Sequence, residues 1–242
     1  MACLAVVAAQ AGYAQFWNRL PGGNTINTNE WLGADAFSTI PLSIETRANL
    51  PIQWRTNNVQ RMRLMGTNTT GSINGYTALN LSGHLGLGAF TSGLVNQPFS
   101  LLHLDAGGFQ DSGFRPWMQS GMTITRQSDQ SYFGLKDEGG ASNHTVIAWS
   151  DNTLVHPGPD RLKFIFVADN TAANGVAGQL NGLEAARFTP DSVGNQTFFG
   201  VGDWLTAGSD PTERVDLLNG RLRIRQLPTG AEANTLDKYM VV

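Results

Sequence analysis

"WMQSGMTITRQSDQSYFGLKDEGGASNHTVIAWSD" (117–151) decides the fold class. Three short runs, "WMQSGMTITR" (117–126), "SYFGLKDE" (131–138) and "HTVIAWSD" (144–151), are rich in β-branched and aromatic residues. Gly, Ser, Asn and Asp lie between them, which is turn chemistry and not helix continuation. The pattern extends in both directions, to "SLLHLDA" (100–106), "RLKFIFVAD" (161–169) and "LEAARFTP" (183–190). The intervening "GGFQDSGFRP", "NTLVHPGPD" and "NTAANGVAGQLNG" are again turn or loop sequence. Six short strands at this spacing predict a β-sandwich-like module over 99–190. Only "EANTLDKYM" (232–240) has a helical apolar period, so the predicted class is all-β.

Upstream, "PLSIETRANLPIQWRTNNVQRMRLMG" (41–66) alternates apolar and polar residues, as one or two small hairpins do. Ile44, Ile52, Trp54, Val59, Met62 and Leu64 are the expected inward positions. "TNN" (56–58) is the expected tight turn, because Asn tolerates positive φ. Residues 16–40 are turn-rich, with Trp17 and Trp31 as isolated anchors.

Composition supports this class. Only 14% of the residues are charged, against about 25% in an average soluble domain. The polar surface must therefore come from Asn, Thr, Ser and Gln. With 28 Gly and 10 Pro in 242 residues, the chain is turn-rich, a composition common in extracellular β proteins. The net charge is −3 and the densest basic cluster is "RLRIR" (221–225), which excludes the concentrated positive footprint that nucleic-acid binding needs. Arg221, Arg223 and Arg225 are expected on the solvent face of a strand, with Leu222, Ile224 and Leu227 inward.

The only cysteine is Cys3, so neither a disulfide framework nor a cysteine zinc site can form within the chain. It lies in "MACLAVVAAQAGYAQ" (1–15), an apolar stretch too short to span a bilayer. "GYA" (12–14) fits a small-x-small cleavage site between Ala14 and Gln15. The usual positive leader is missing, which suggests a start internal to a longer signal. A buried N-terminal helix is the alternative, but the polar, Asn-rich sequence beyond it favours export. No other segment is long and apolar enough to be a membrane span.

Three phrases recur in the same order. "QRMRLMG" (60–66) corresponds to "EAARFTP" (184–190), "GLG" (86–88) to "GVG" (200–202), and "PFSLLHLDAG" (98–107) to "PTERVDLLNG" (211–220). The step from Gly-x-Gly to Pro is 10 residues in the first set and 9 in the second. Repeated strand–turn–strand units characterise fibrous and solenoid β architectures, although two copies are fewer than a solenoid needs. The expected organisation is a signal peptide (1–14), a stalk-like hairpin region (15–98), the central module (99–190) and a second stalk-like segment (191–242).

"RTNNVQRMRL", "LGLG…PFSLLHLDAG" and "FFGVGDWLTAGSDPTERVDLLNGRLRIRQL" resemble the stalk regions of bacterial secreted, tail-fibre-like proteins. Such stalks carry phrases of the form TNN-x-E-R-M-R-I, G-N-V-G-I-G-T and P-x-E-K-L-H-V-x-G. This chain departs from the pattern at Gln60, where the family has Glu, and in its drifted Gly-x-Gly steps. The resemblance implies a secreted or cell-surface structural or adhesion protein, non-enzymatic, without a cofactor, that assembles as a homotrimer. Some relatives end in a self-cleaving chaperone domain; its Ser-Lys chemistry is not found here, as expected of the N-terminal part of a longer protein.

Residues with catalytic potential are scattered. His84, His103, His144 and His156 have no metal-ligand spacing. His103, in an apolar strand, is expected to be packed, and Asp216 is its counterpart in the second set. Asp105, Asp111, Glu138, Asp151 and Asp160 are expected at strand ends and turns. Glu138 and Asp151 could face each other as a glycosidase pair, the least favoured function. "DNTAANG" (169–175) lacks the acidic positions of a calcium loop. Phe109, Phe114, Trp117, Tyr132 and Trp149 could form either a core or a carbohydrate platform. Trp149 is expected in the core. Trp117, Arg115 and Tyr132 are the candidate residues for binding a surface glycan or cell-envelope component, the lectin-like alternative.

Overall fold

Asn57 and Asn58 reverse the chain at its first hairpin. Both have positive φ, 49° and 61°, as a two-residue turn between twisted strands requires. The turn expected at "TNN" is in place. It joins β1 (Ile52–Thr56) to β2 (Val59–Leu64), which pair antiparallel with a bulge beyond Trp54. The computed structural model describes residues 36–88, 90, 97–107, 111, 113–150, 160–167, 182–191 and 196–223. The signal-like segment with Ala14 and Gln15, both N-terminal tryptophans, Phe109, Asp151, His156, 169–175 and the segment 224–242 lie outside these residues.

From β2 the chain makes a small hairpin, β3 (Thr70–Ile73) and β4 (Tyr76–Asn80), then β5 (Leu85–Leu87) and β6 (Leu102–Asp105). β7 (Met122–Arg126), β8 (Asp129–Asp137) and β9 (Asn143–Ser150) form an antiparallel meander. A second group comes next: β10 (Leu162–Phe166), β11 (Leu183–Pro190), β12 (Thr197–Val201), the one-turn helix α1 (Trp204–Ala207) and β13 (Val215–Leu217). The class is all-β.

The strands form a seven-stranded sheet in the order β1-β2-β5-β6-β7-β8-β9, a four-stranded sheet β10-β11-β12-β13, and the β3-β4 hairpin. The six runs expected in one module at 99–190 therefore divide between two sheets. β6 to β9 continue the sheet begun upstream, because β6 pairs in parallel with β5. β10 and β11 open the second sheet.

Residues 117–126 are not one strand. Pro116 fixes φ at the start of a 3₁₀ helix, Pro116–Ser120, and the strand begins only after Gly121. Two expected inward residues are also outward: Val59 and Ile44 are exposed. Val59 borders the turn, and Ile44 belongs to a separate unit (Met1–Glu45), whose described residues carry no helix or strand. Leu222 is exposed beside Arg221 and Arg223 in irregular chain, so the expected strand is not present over 221–223.

The core lies on one face of the seven-stranded sheet. Ile73, Leu79, Leu81, Phe90, Phe99, Phe114 and Met118, from the small hairpin, loops and 3₁₀ helix, close over Tyr132 on β8. The strand surface beneath this lid is largely polar: His103, Thr123, Thr125 and Gln130 are all buried.

Candidate functional site

The two glycine steps are built alike. Gly86 pairs with Arg63 on one side and His103 on the other; Gly200 pairs with Arg187 and Asp216. In each case the first partner is antiparallel and the second parallel. A β-carbon on Gly86 would stand 2.5 Å from the ring of Phe90 and 2.9 Å from Pro98; one on Gly200 would stand 2.6 Å from Trp204 and 3.0 Å from Pro211. An aromatic four residues on thus folds back over the bare glycine, with a proline beside it. The second glycines, Gly88 and Gly202, have φ of 133° and 126°, a region that residues with a side chain avoid. Their amides donate to Arg61 O at 2.8 Å and Ala185 O at 3.0 Å.

His103 is buried, as expected, and it fills an acceptor's role. The Phe99 amide donates to its Nδ1 at 3.0 Å, so the ring proton is on Nε2, directed at Thr125 Oγ1, 2.8 Å away. In the second group the Thr212 amide donates to Asp216 Oδ2 at 3.1 Å. Imidazole nitrogen and carboxylate oxygen thus accept from the residue four positions upstream. Burial, then the nearby His84, pulls the His103 pKa down to about 3.

A charged cluster sits in the second sheet, centred on Glu184 and Arg187 of the phrase "EAARFTP". Arg187 donates from Nε and Nη2 to both oxygens of Glu184, and from Nη1 to Asp210 Oδ1 at 2.6 Å. Lys163 adds a 3.3 Å ion pair to Glu184, and Arg161 grips Asp210. Glu184 is fully buried and Arg187 nearly so. The hydrogen bond from Arg161 is the chief cause that holds the Asp210 carboxyl down to about 2. An acidic residue within the apolar strand "LEAARFTP" is the one signal the sequence offers. The matching residue of the first sheet is Gln60, buried and with Nε2 unpartnered.

The candidate glycan residues separate. Tyr132 is 1% exposed, and its hydroxyl donates to Leu135 O at 2.9 Å, so its ring is core and not platform. Trp117 is half-buried, edge-on to Tyr132, and Lys136 Nζ lies 5.8 Å from its ring centre. Arg115 is exposed beside it and donates to Phe114 O at 2.8 Å. Phe114 is core. Trp149, expected there, is half-buried on the opposite face of the sheet, its indole donating to Asp160 O at 3.0 Å. Asp105 is level with Gln130 across β7, and Glu138 lies just past the far end of β8, ~25 Å along the strand, so these two carboxylates do not face each other. Among the described residues, no group of three or more His, Cys, Asp or Glu could hold a metal ion. No described helix is long and apolar enough to cross a membrane.

The other face of the seven-stranded sheet carries two apolar rows. Strand pairing aligns Ile52, Leu64, Leu85, Leu102, Met122, Phe133 and Ile147 in one row across all seven strands. The next row is Trp54, Met62, Leu87, Leu104, Ile124, Ser131 and Trp149. Ser131 is the only polar member. Phe133 is 53% exposed and Ile147 56%, and the remaining members are half-buried or exposed. The second sheet repeats this chemistry, with Leu162, Phe188, Phe199 and Val215 in one row and Phe164, Ala186, Val201 and Leu217 in the next. Phe188 and Phe199 stack at 4.8 Å.

The chain matches no family model, no curated protein and no solved structure.

Proposed function

We propose that this chain is a non-enzymatic structural protein of a secreted or cell-surface assembly, in which stalk-like strand units frame and space a displayed β-meander. One observation carries the reading: both sheets use the same unit of hairpin, glycine step under an aromatic ring, and returning parallel strand. Such a unit spends its best-defined residues on strand geometry. Gly86, Gly88, Gly200 and Gly202 serve close backbone approach or positive φ, and His103 and Asp216 serve a backbone amide.

Fractionation of the cells that express the protein, with an antibody to the chain, tests the proposal. Signal in the medium or on the cell surface is the expected result; confinement to the cytosol overturns it. The lectin-like alternative rests on Trp117 and Arg115, which alone of its three residues reach solvent. A glycan array on which wild type binds and Trp117→Ala does not would favour it over a pure spacer.

A further inference from the structure

We propose that Asn219 is a spontaneous modification site, where the chain converts its own asparagine to aspartate and isoaspartate through a cyclic imide with Gly220. The place is the closing step of the second unit, "LLNG" (217–220), at the end of β13. Asn219 and Gly220 are both exposed, and a β-carbon on Gly220 would meet nothing within 4 Å. The first unit closes on a glycine of the same conformation: φ is 101° at Gly107 and 97° at Gly220. There Asp105 Oδ1 accepts from the Gly107 amide at 2.8 Å, and the residue before the glycine is Ala106. In the second unit Leu218 stands where the first has Asp105, and Asn219 where it has Ala106. Among the described residues, no hydrogen bond holds the Gly220 amide or the Asn219 side chain.

The Gly220 nitrogen, its proton lost to water, attacks Asn219 Cγ; the N–Cγ bond forms and ammonia leaves with a proton from water. A second water opens the five-membered imide. Cleavage of the Cγ–N bond gives aspartate, and cleavage at the main-chain carbonyl gives isoaspartate, in which the chain runs through the former side chain. The net change is amide plus water to carboxylate plus ammonium, with nothing oxidised or reduced. Ring closure needs a following residue with no side chain in the way and a backbone free to turn. The other described Asn-Gly pair lacks that freedom. Asn74 and Gly75 form the tight turn between β3 and β4, with φ of 48° and 76°. The Asn74 amide donates to Asp111 Oδ2 at 2.5 Å, and its side-chain Nδ2 to Phe114 O at 3.1 Å. Reaction at Asn74 therefore waits on opening of the hairpin. At Asn219 the product places a new carboxylate two residues before Arg221, where the chain leaves the second unit.

Incubation of the full chain at mildly alkaline pH, followed by peptide mass spectrometry for the amide-to-acid mass gain and for isoaspartate, tests the proposal. In the folded protein Asn219 is expected to react at least about tenfold faster than Asn74, the ratio that ~1.4 kcal/mol of hairpin opening imposes. In concentrated urea the two rates should converge, because the sequence chemistry is then all that remains. Hydroxylamine, which attacks the imide, should cut the folded chain between Asn219 and Gly220 and leave Asn74–Gly75 intact. Peptides are assigned by mass, so Asn174 and Asn181, which lie outside the described residues, are counted separately. Leu218→Asp restores the acceptor of the first unit and is expected to slow Asn219 several-fold. Circular dichroism checks that this variant folds; if it does not, the wild-type comparison decides. Equal rates at the two sites in the folded protein would overturn the proposal. So would an Asn219 that reacts only in urea or in neither state, or a folded Leu218→Asp that reacts at the wild-type rate. None of these outcomes depends on where the protein resides, so localisation still judges the structural reading separately.

Discussion

Trp204 lies so close against Gly200 that a β-carbon on the glycine would stand 2.6 Å from the indole Nε1. Phe90 holds the same position over Gly86. Neither ring can retreat, because both are buried. Gly86→Ala and Gly200→Ala should each destabilise the chain by about 1–3 kcal/mol through overpacking. Urea denaturation measures this; an unchanged midpoint in both variants would show that the rings can shift freely.

The buried carboxylate of Glu184 has both oxygens engaged by Arg187. Removing its charge leaves a desolvated guanidinium with Asp210 as its remaining acidic partner. Glu184→Gln should therefore cost about 3 kcal/mol, the lower end for breaking a buried pair. Lys163→Met should cost less than about 1 kcal/mol, since the more exposed Lys163 contributes a longer contact. The difference between the two variants in denaturant midpoint is the measurement.

Acid should weaken the fold from the neutral side of His103. Its pKa falls from 6.5 in the unfolded chain to about 3 when folded, so between these values the unfolded state binds the extra proton. Stability is then full above pH 6.5 and declines by about 1.4 kcal/mol per pH unit as pH falls toward 3. Asp210 adds a second loss at lower pH: its contribution is intact above 3.8 and disappears as pH falls through about 2. His103→Asn keeps an acceptor for the Phe99 amide and removes the titrating ring. Its stability curve between about pH 4 and 6.5 should be flatter than wild type, whatever its stability at neutral pH.

At the first hairpin, Asn58 has φ of 61°. Asn58→Val should cost about 1–2 kcal/mol, because a β-branched residue is strained there, whereas Asn58→Gly should be close to neutral. Thermal melts of the two variants distinguish this conformational cost from the mere loss of the side chain.

The elements whose signals are local are legible in the sequence. Asn57–Asn58 announces a turn by residue type, and "LEAARFTP" coincides with β11 residue for residue. Tertiary information is not legible in the same way. Trp149 reads as core because "VIA" precedes it, but alternation alone does not say which face of a sheet is covered. Here the lid comes from the β3-β4 hairpin and the 3₁₀ helix, and it closes over the Tyr132 side. A surface role for Tyr132 and a core role for Trp149 are therefore both reversed by the structure. Glu184 and Asp210 lie 26 residues apart in sequence, and only the fold of β11 against the turn before β13 brings Arg187 between them.

The parallel pairing of β5 with β6, and of β12 with β13, has a consequence for growth. Each unit enters on one strand (β1 or β10) and leaves on another that points the same way. A chain built from such units keeps its heading, so a unit can be added or lost without reversing the direction of the chain beyond it. The stretch between the Arg strand and the glycine strand is free of that constraint: the first unit places the β3-β4 hairpin there, and the second joins Pro190 to Thr197 directly by a short link. On the proposed stalk reading, length would follow from the number of such units and decoration from what is inserted between their strands.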